Sequence, residues 1–200
     1  MKQLEIFVLM PYGNNGEYSG GTTESDYVYT EIIEPAARQA GRLLSSDAAT
    51  SDHVDPKVIR EVDRNESGYI TAAIVRAIAR ADVVIVDITG RNPNVFLELG
   101  IRYALRSKVT VLLAQAGTPV PFDINVYRYI EYEKFKPSHA RKQIAECIQQ
   151  GLSGPLKSDS IVFDVIPSMS VSIPGIAESF GADVVAKQEV MSWEEYMGRI

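Results

Sequence analysis

Ala81-Asp82-Val83-Val84-Ile85-Val86-Asp87-Ile88 is followed closely by Asn92-Pro93-Asn94-Val95-Phe96-Leu97-Glu98-Leu99-Gly100. The first stretch is a short apolar run without polar alternation, the signature of a strand covered on both faces of a parallel sheet. The second opens on Asn92, a residue type that caps helices, and Pro93, whose fixed φ suits a first turn. A helix is therefore expected from Pro93 to Arg106, with Glu98 in its second turn and Asn94 one turn earlier. Helical side chains lean toward the helix N-terminus. In a strand–loop–helix unit that end faces the carboxyl edge of the sheet, where open α/β sheets hold their ligands. Glu98 is thereby a carboxylate aimed at the expected site from an otherwise apolar segment.

Working outward, hydrophobic period alternates between strand and helix. Leu4 to Met10 reads as a buried strand, followed by a glycine-rich loop from Pro11 to Thr23. Val28, Ile32, Ile33, Ala36 and Ala40 give helical spacing over Asp26 to Ala40, with Pro35 expected to kink that helix and Gly41 to end it. Leu43 and Leu44 suggest a short second strand. The charged stretch from Asp47 to Glu66 reads as a loop with a short helix near Pro56 to Val62. Ile70 to Arg80 is an amphipathic helix, Val83 to Ile88 the third strand, and Val109 to Ala114 the fourth. A loop at Pro119 to Asp123, a fifth strand at Tyr127 to Tyr132 and a helix at Ser138 to Leu152 follow. The alternation predicts a five-stranded parallel sheet between two helical layers in residues 1–154. After Gly154 the composition shifts to Ser, Pro and Gly, so residues 155–200 read as a C-terminal extension or a linker to a following domain, with a helix starting at Ser192.

Bulk properties narrow the function classes. The 200 residues are 46% hydrophobic and 23% charged, enough for a substantial core in one domain. A formal charge of -6 and a pI near 5.0 argue against direct nucleic-acid binding, which needs clustered Lys and Arg. The single cysteine, Cys147, excludes an intramolecular disulfide and a cysteine zinc site, and it reads as a small buried side chain. His53 and His139 lack metal-ligand spacing, and the charged block from Asp52 to Glu66 mixes acids with Lys57, Arg60 and Arg64 without EF-hand order, so no metal is expected. The N-terminus lacks signal-peptide character and no apolar stretch approaches membrane-spanning length. The expectation is a cytoplasmic protein without membrane contact.

Taken in order, Phe7-Val8-Leu9-Met10-Pro11-Tyr12-Gly13, Val28-Tyr29 with Glu34-Pro35-Ala36 and Ala40-Gly41, Ala81 to Thr89, Asn92 to Gly100, and Pro121-Phe122-Asp123 resemble one family. It is the bacterial TIR-like domains related to nucleoside 2-deoxyribosyltransferases, found at the front of defence and signalling proteins. The similarity spans about residues 4–133 and is most specific in the block from Asp87 to Gly100. It implies a flavodoxin-like (TIR-like) three-layer α/β fold. It also implies cleavage or transfer of N-glycosidic bonds, including the nicotinamide–ribose bond of NAD, by a glutamate matching Glu98. NAD would then be substrate rather than cofactor, and self-association into a homo-oligomer is expected to complete the site.

Each candidate residue has a plainer reading beside the functional one. Glu98 is either a helix-surface acid paired with Arg102 at i,i+4 or the carboxylate that stabilises or traps an oxocarbenium-like ribosyl centre. Asp87 either closes the turn after its strand or binds a ribose hydroxyl or base edge, and kept protonated by burial it would serve as the acid for a neutral nucleoside base. The loop from Tyr12 to Thr23, with Gly13, Asn14 and Asn15, is either a connection or a backbone cradle for phosphate or ribose, and it carries neither P-loop nor dinucleotide fingerprint. Tyr12 either stacks on a base or covers the core rim. Asn92 and Asn94 are cap and turn residues first and substrate contacts second, and Phe122 and Asp123 are expected along one pocket wall. Three functions remain: an NAD hydrolase or ADP-ribosyl cyclase, a nucleoside 2-deoxyribosyltransferase, and a non-enzymatic assembly module.

Overall fold

In the computed structural model, which describes residues 2–12, 20–46, 53–60, 70–107, 109–154, 158–166 and 168–172, five strands form one sheet. They are β1 (Lys2–Leu9), β2 (Val54–Arg60), β3 (Val83–Asp87), β4 (Thr110–Gln115) and β5 (Tyr129–Tyr132). Their order is β2-β1-β3-β4-β5 and every pairing is parallel. That order is the flavodoxin-like doubly wound arrangement, whose chain reverses direction between β1 and β3 and opens a crevice at their carboxyl ends. In register, Ile6 lies beside Val83 and Leu9 beside Val86.

Side chains alternate across the sheet and so feed two cores. Leu4, Ile6 and Val8 pack with Val83 and Ile85 beneath α2 (Glu34–Ser45) and α6 (Pro137–Ser153), which supply Ala36, Ala40, Ile144 and Ile148. Phe7 and Leu9, with Val84 and Val86, face α3 (Ile70–Arg80) and α4 (Pro93–Leu105), which contribute Ile78, Val95, Leu99 and Tyr103. The two helical layers and a five-stranded parallel sheet are present, with four of the five strands close to where the alternation places them.

The path between β1 and β3 departs from expectation. Leu43 and Leu44 are not a strand. They belong to α2, which runs on to Ser45, and the second strand is β2, where a loop and short helix were expected. β2 lies on the sheet edge, where Pro56 and the charged Asp55, Lys57 and Arg60 are tolerated, so its sequence carries no buried-strand signal. Gly41 does not end the helix. A Cβ there would sit 2.8 Å from Pro56 Cδ, so glycine lets α2 lie close against β2.

Pro35 widens the helix rather than breaking it. α1 (Gly21–Val28) passes into a π turn at Tyr29–Ile33, closed by the Glu34 N–H on the Tyr29 carbonyl. A proline has no N–H to give and its ring crowds the carbonyl four residues earlier. That carbonyl, on Glu31, is taken instead by Arg141 Nε from α6.

Two further differences lie toward the C-terminus. The stretch expected as a loop at Pro119 to Asp123 leads into the short helix α5 (Phe122–Asn125). The first part of the expected extension is docked on the domain. Asp159 Oδ2 accepts the Thr110 N–H at 2.7 Å, Ser160 Oγ donates to the Tyr103 carbonyl at 2.7 Å, and Ser160 caps α7 (Ile161–Val165). The helix expected at Ser192 lies outside the described residues.

Candidate functional site

Three elements end at one place on the carboxyl edge. β1 finishes at Leu9 and continues as Met10-Pro11-Tyr12, β2 finishes at Arg60, and α4 begins at Pro93. Between them lies a cleft of about 200 Å³ lined by Val8 to Tyr12, Arg60, Asn92, Asn94, Val95 and Glu98. A second hollow, about 220 Å³, sits between β5 and α6 at the far edge of the sheet. Its Glu133 and Lys136 pair with each other at the surface, 2.8 Å apart. It lies away from the β1/β3 switch point.

The start of α4 is built as its sequence predicts. After β3 a single 3₁₀ turn, Thr89–Arg91, reverses the chain with Gly90 at φ 72° and Arg91 at φ 58°. Asn92 is extended (φ -60°, ψ 123°) and its Oδ1 accepts the Asn94 N–H at 2.9 Å, capping the helix before Pro93 constrains its first turn. Val95 and Leu99 are buried in the core, Leu97 is 62% exposed, and Glu98 is half-buried between those faces where it borders the cleft.

Arg102 does not make the exposed i,i+4 pair expected for a plain helix surface, because it is completely enclosed. Its Nη1 donates to the carbonyls of Ile78 and Ala81, both at 2.9 Å, and its Nη2 to those of Val109 at 3.0 Å and Asp82 at 3.3 Å. Burial, helped by nearby Arg106, lowers its pKa from 12.5 to about 9. The arginine thus fastens the C-terminal half of α4 to the end of α3 and the start of β4.

Arg60 does not stand in the solvated charged face expected of its stretch of sequence. Its side chain is 11% exposed, its Nη1 is 2.6 Å from Asp26 Oδ1, and its guanidinium stands 4.4 Å from the Tyr29 ring centroid and 5.6 Å from that of Tyr12. The signal present in the sequence was its position at the end of the run Val58-Ile59-Arg60, obscured by Pro56 and the surrounding charges.

Of the expected site residues, Tyr12, Asn92, Asn94 and Glu98 come together in the cleft. Gly13 lies outside the described residues, as do Asn14 and Asn15. Asp87 is placed differently, being fully buried and outside the cleft lining. Its Oδ1 accepts from the Thr89 N–H at 3.0 Å and the Thr89 hydroxyl at 2.5 Å, and its Oδ2 from the Tyr132 hydroxyl at 2.8 Å. Closing the turn is therefore what Asp87 does here. Thr89 Oγ1 also accepts the Gln115 N–H at 2.9 Å, and the Gln115 side chain reaches Glu24, a buried acid paired with Lys134 at 3.2 Å. Phe122 (85% exposed) and Asp123 stand on α5 and do not line the cleft. Cys147 packs against the core, where burial pushes its thiol pKa up, which suits a structural side chain.

Among the described residues no cluster of His, Cys, Asp and Glu has metal-holding geometry, and no helix is long and apolar enough to cross a membrane. No protein-family model matches the chain, and no curated protein matches it. Among solved structures it is similar to a diflavin flavoprotein A3 from Nostoc sp., with 12% sequence identity and a TM-score of 0.37 over 74% of this chain and 89% of that one. The fold assignment rests on the strand order above.

Proposed function

We propose that the cleft cleaves N-glycosidic bonds, with NAD as substrate and Glu98 as the carboxylate that meets the developing charge. One observation carries this reading. Glu98 borders a concave site at the carboxyl edge, beside the β1/β3 switch point, with Asn92, Asn94, Tyr12 and Arg60 around it.

The chemistry needs few groups. The C1′–N bond of NAD joins ribose to a cationic pyridinium, so nicotinamide departs neutral with the bonding electron pair and no general acid is required. Positive charge then develops over C1′ and the ring oxygen, where a carboxylate stabilises it or closes on it covalently. A water adds to C1′ and loses its proton to solvent, giving ADP-ribose and nicotinamide. An internal nucleophile on the adenine would give the cyclic product instead. Tyr12 offers a ring face for the base, and the side-chain amide of Asn94 offers a donor to a ribose hydroxyl.

Incubation of the full chain with NAD at high protein concentration, with nicotinamide release followed by chromatography, tests the proposal. Release by the wild type that falls at least ~10³-fold in Glu98→Gln is the expected result. No release at any concentration, or equal release by the variant, refutes it. Base exchange on deoxyadenosine in the same assay would move the assignment to a deoxyribosyltransferase.

A further inference from the structure

We propose that Arg60 is the anion-recognising residue of this cleft, so that the site takes phosphorylated nucleotides in preference to nucleosides, and that Asp26 occupies the place of the phosphate until a ligand displaces it. The inference rests on the glycosidic reading above for the base and sugar, but not for the phosphate.

The argument begins with how Arg60 is held. It is the last residue of the edge strand β2 and borders the same cleft as Glu98. Its guanidinium lies over the buried Tyr29 ring, 4.4 Å from the centroid, and within 5.6 Å of Tyr12. Aromatic contacts of this kind orient the guanidinium plane and keep its charge largely away from water. Tyr29 itself begins the π turn that Pro35 imposes, a local widening of the kind often found at functional sites. A guanidinium with five donors in a fixed fork is matched to two oxygens of one phosphate.

Asp26, one of the partners of Arg60, is readily displaced. Asp26 Oδ1 is 2.6 Å from Arg60 Nη1, but the Asp26 side chain is 50% exposed while that of Arg60 is 11% exposed. Its carboxylate can turn into water at little cost, whereas the arginine cannot follow. An incoming phosphate exchanges one anion for another of greater charge, leaving Arg60 compensated throughout. Arg60 lines the same cleft as Glu98, so its positive charge favours a phosphate entering beside that carboxylate.

A plainer role, in which Arg60 only ties β2 to α1, predicts a different outcome for Asp26. The experiment uses the full chain carrying Glu98→Gln, to prevent turnover, and calorimetric titration with nicotinamide mononucleotide and with nicotinamide riboside, which differ by one phosphate. The mononucleotide is expected to bind at least ~10-fold more tightly. Adding Arg60→Gln should bring the two within about twofold, while Asp26→Asn should widen the gap about threefold or more by removing the competing anion. Equal binding of the two ligands, no mononucleotide binding at millimolar concentration, a ratio untouched by Arg60→Gln, or weaker binding in Asp26→Asn would each overturn the proposal. If Arg60→Gln does not fold, Arg60→Lys, which keeps the charge without the fork, and the half-exposed Asp26→Asn decide it. Nicotinamide release from NAD is scored separately. A protein that discriminates the phosphate through Arg60 but never cleaves NAD loses the glycosidic reading and keeps this one.

Discussion

Replacing Arg102 by methionine and by alanine separates the two ways in which a buried cation can hold α4 in place. The carbonyl of Ile78 belongs to the last turn of α3, which leaves acceptors without helical partners, and that of Ala81 to the residue just after the helix; each receives Arg102 Nη1 at 2.9 Å. The Val109 carbonyl is less dependent, because the Val84 N–H also reaches it at 3.0 Å. Losing two charge-assisted bonds to buried carbonyls costs on the order of 3–6 kcal/mol. Against that, a pKa lowered from 12.5 to about 9 by burial means that keeping the charge costs on the order of 5 kcal/mol. Methionine fills the arginine stem and removes both terms, so Arg102→Met should lie within about 2 kcal/mol of wild type. Alanine also deletes two methylenes at about 0.8 kcal/mol each and leaves a void of roughly 100 Å³ at about 24 cal/mol per Å³, some 4 kcal/mol more. For a chain of this size the alanine variant should therefore melt roughly 8–16 °C below the methionine variant. Urea and thermal unfolding followed by circular dichroism give both numbers. If methionine is as damaging as alanine, the hydrogen bonds outweigh desolvation and the reasoning fails. If alanine matches wild type, Arg102 does not anchor the helix at all.

Other expectations follow from single sites. Glu98→Gln should lower nicotinamide release by ~10³-fold or more in a chain that still folds, since the half-buried side chain is replaced by one of equal shape, which circular dichroism checks. Gly41→Ala should destabilise by about 1–3 kcal/mol in a urea melt, because a Cβ 2.8 Å from the rigid Pro56 ring outweighs the ~1 kcal/mol helix gain. Burial raises the Tyr103 phenol well above its ordinary value, so the folded chain keeps a proton that the unfolded chain loses near pH ~10. That contribution is complete below this pH and is lost as pH rises further. Tyr103→Phe should accordingly flatten the fall in urea midpoint between about pH 9 and 11.

How much of this was legible beforehand differs from residue to residue. The β3–α4 unit announced itself because its signals are local, an apolar run followed by an asparagine cap and a first-turn proline, and Asn92 does cap as read. β2 did not, because an edge strand needs neither an apolar run nor freedom from proline, and Pro56 faces Leu4 in the register without breaking it. Intrinsic preferences make Gly41 a helix end and Pro35 a kink. Tertiary neighbours decided otherwise, Pro56 by approaching Gly41 and Arg141 by taking the displaced Glu31 carbonyl. Arg102 illustrates the same limit, since spacing alone offered Glu98 as partner while the carbonyls that engage it come from α3 and β4. Asp87 could be read as a turn closer, but its second oxygen is held by Tyr132, 45 positions away, which no local pattern reveals.

The two charged groups of the cleft are fixed by different means, and this has consequences for what can vary. Val95, Leu99 and Tyr103 form one buried stripe of α4, each residue four beyond the last, with Arg102 beside it. Rotating Glu98 away from the cleft would expose Val95 and Leu99, at about 1.5–3 kcal/mol for each side chain returned to water. Its position is thus set by the core of the domain, and the point at which a glycosidic bond could be attacked is set with it. Arg60 has no comparable stripe. It ends the edge strand β2, and its contacts include two tyrosine rings and the half-exposed Asp26 of α1 rather than a stripe of core side chains. Substitutions at Arg60 and Asp26 can therefore retune which ligands enter, whereas a change that shifts Glu98 must first disturb the packing that holds α4 to the sheet.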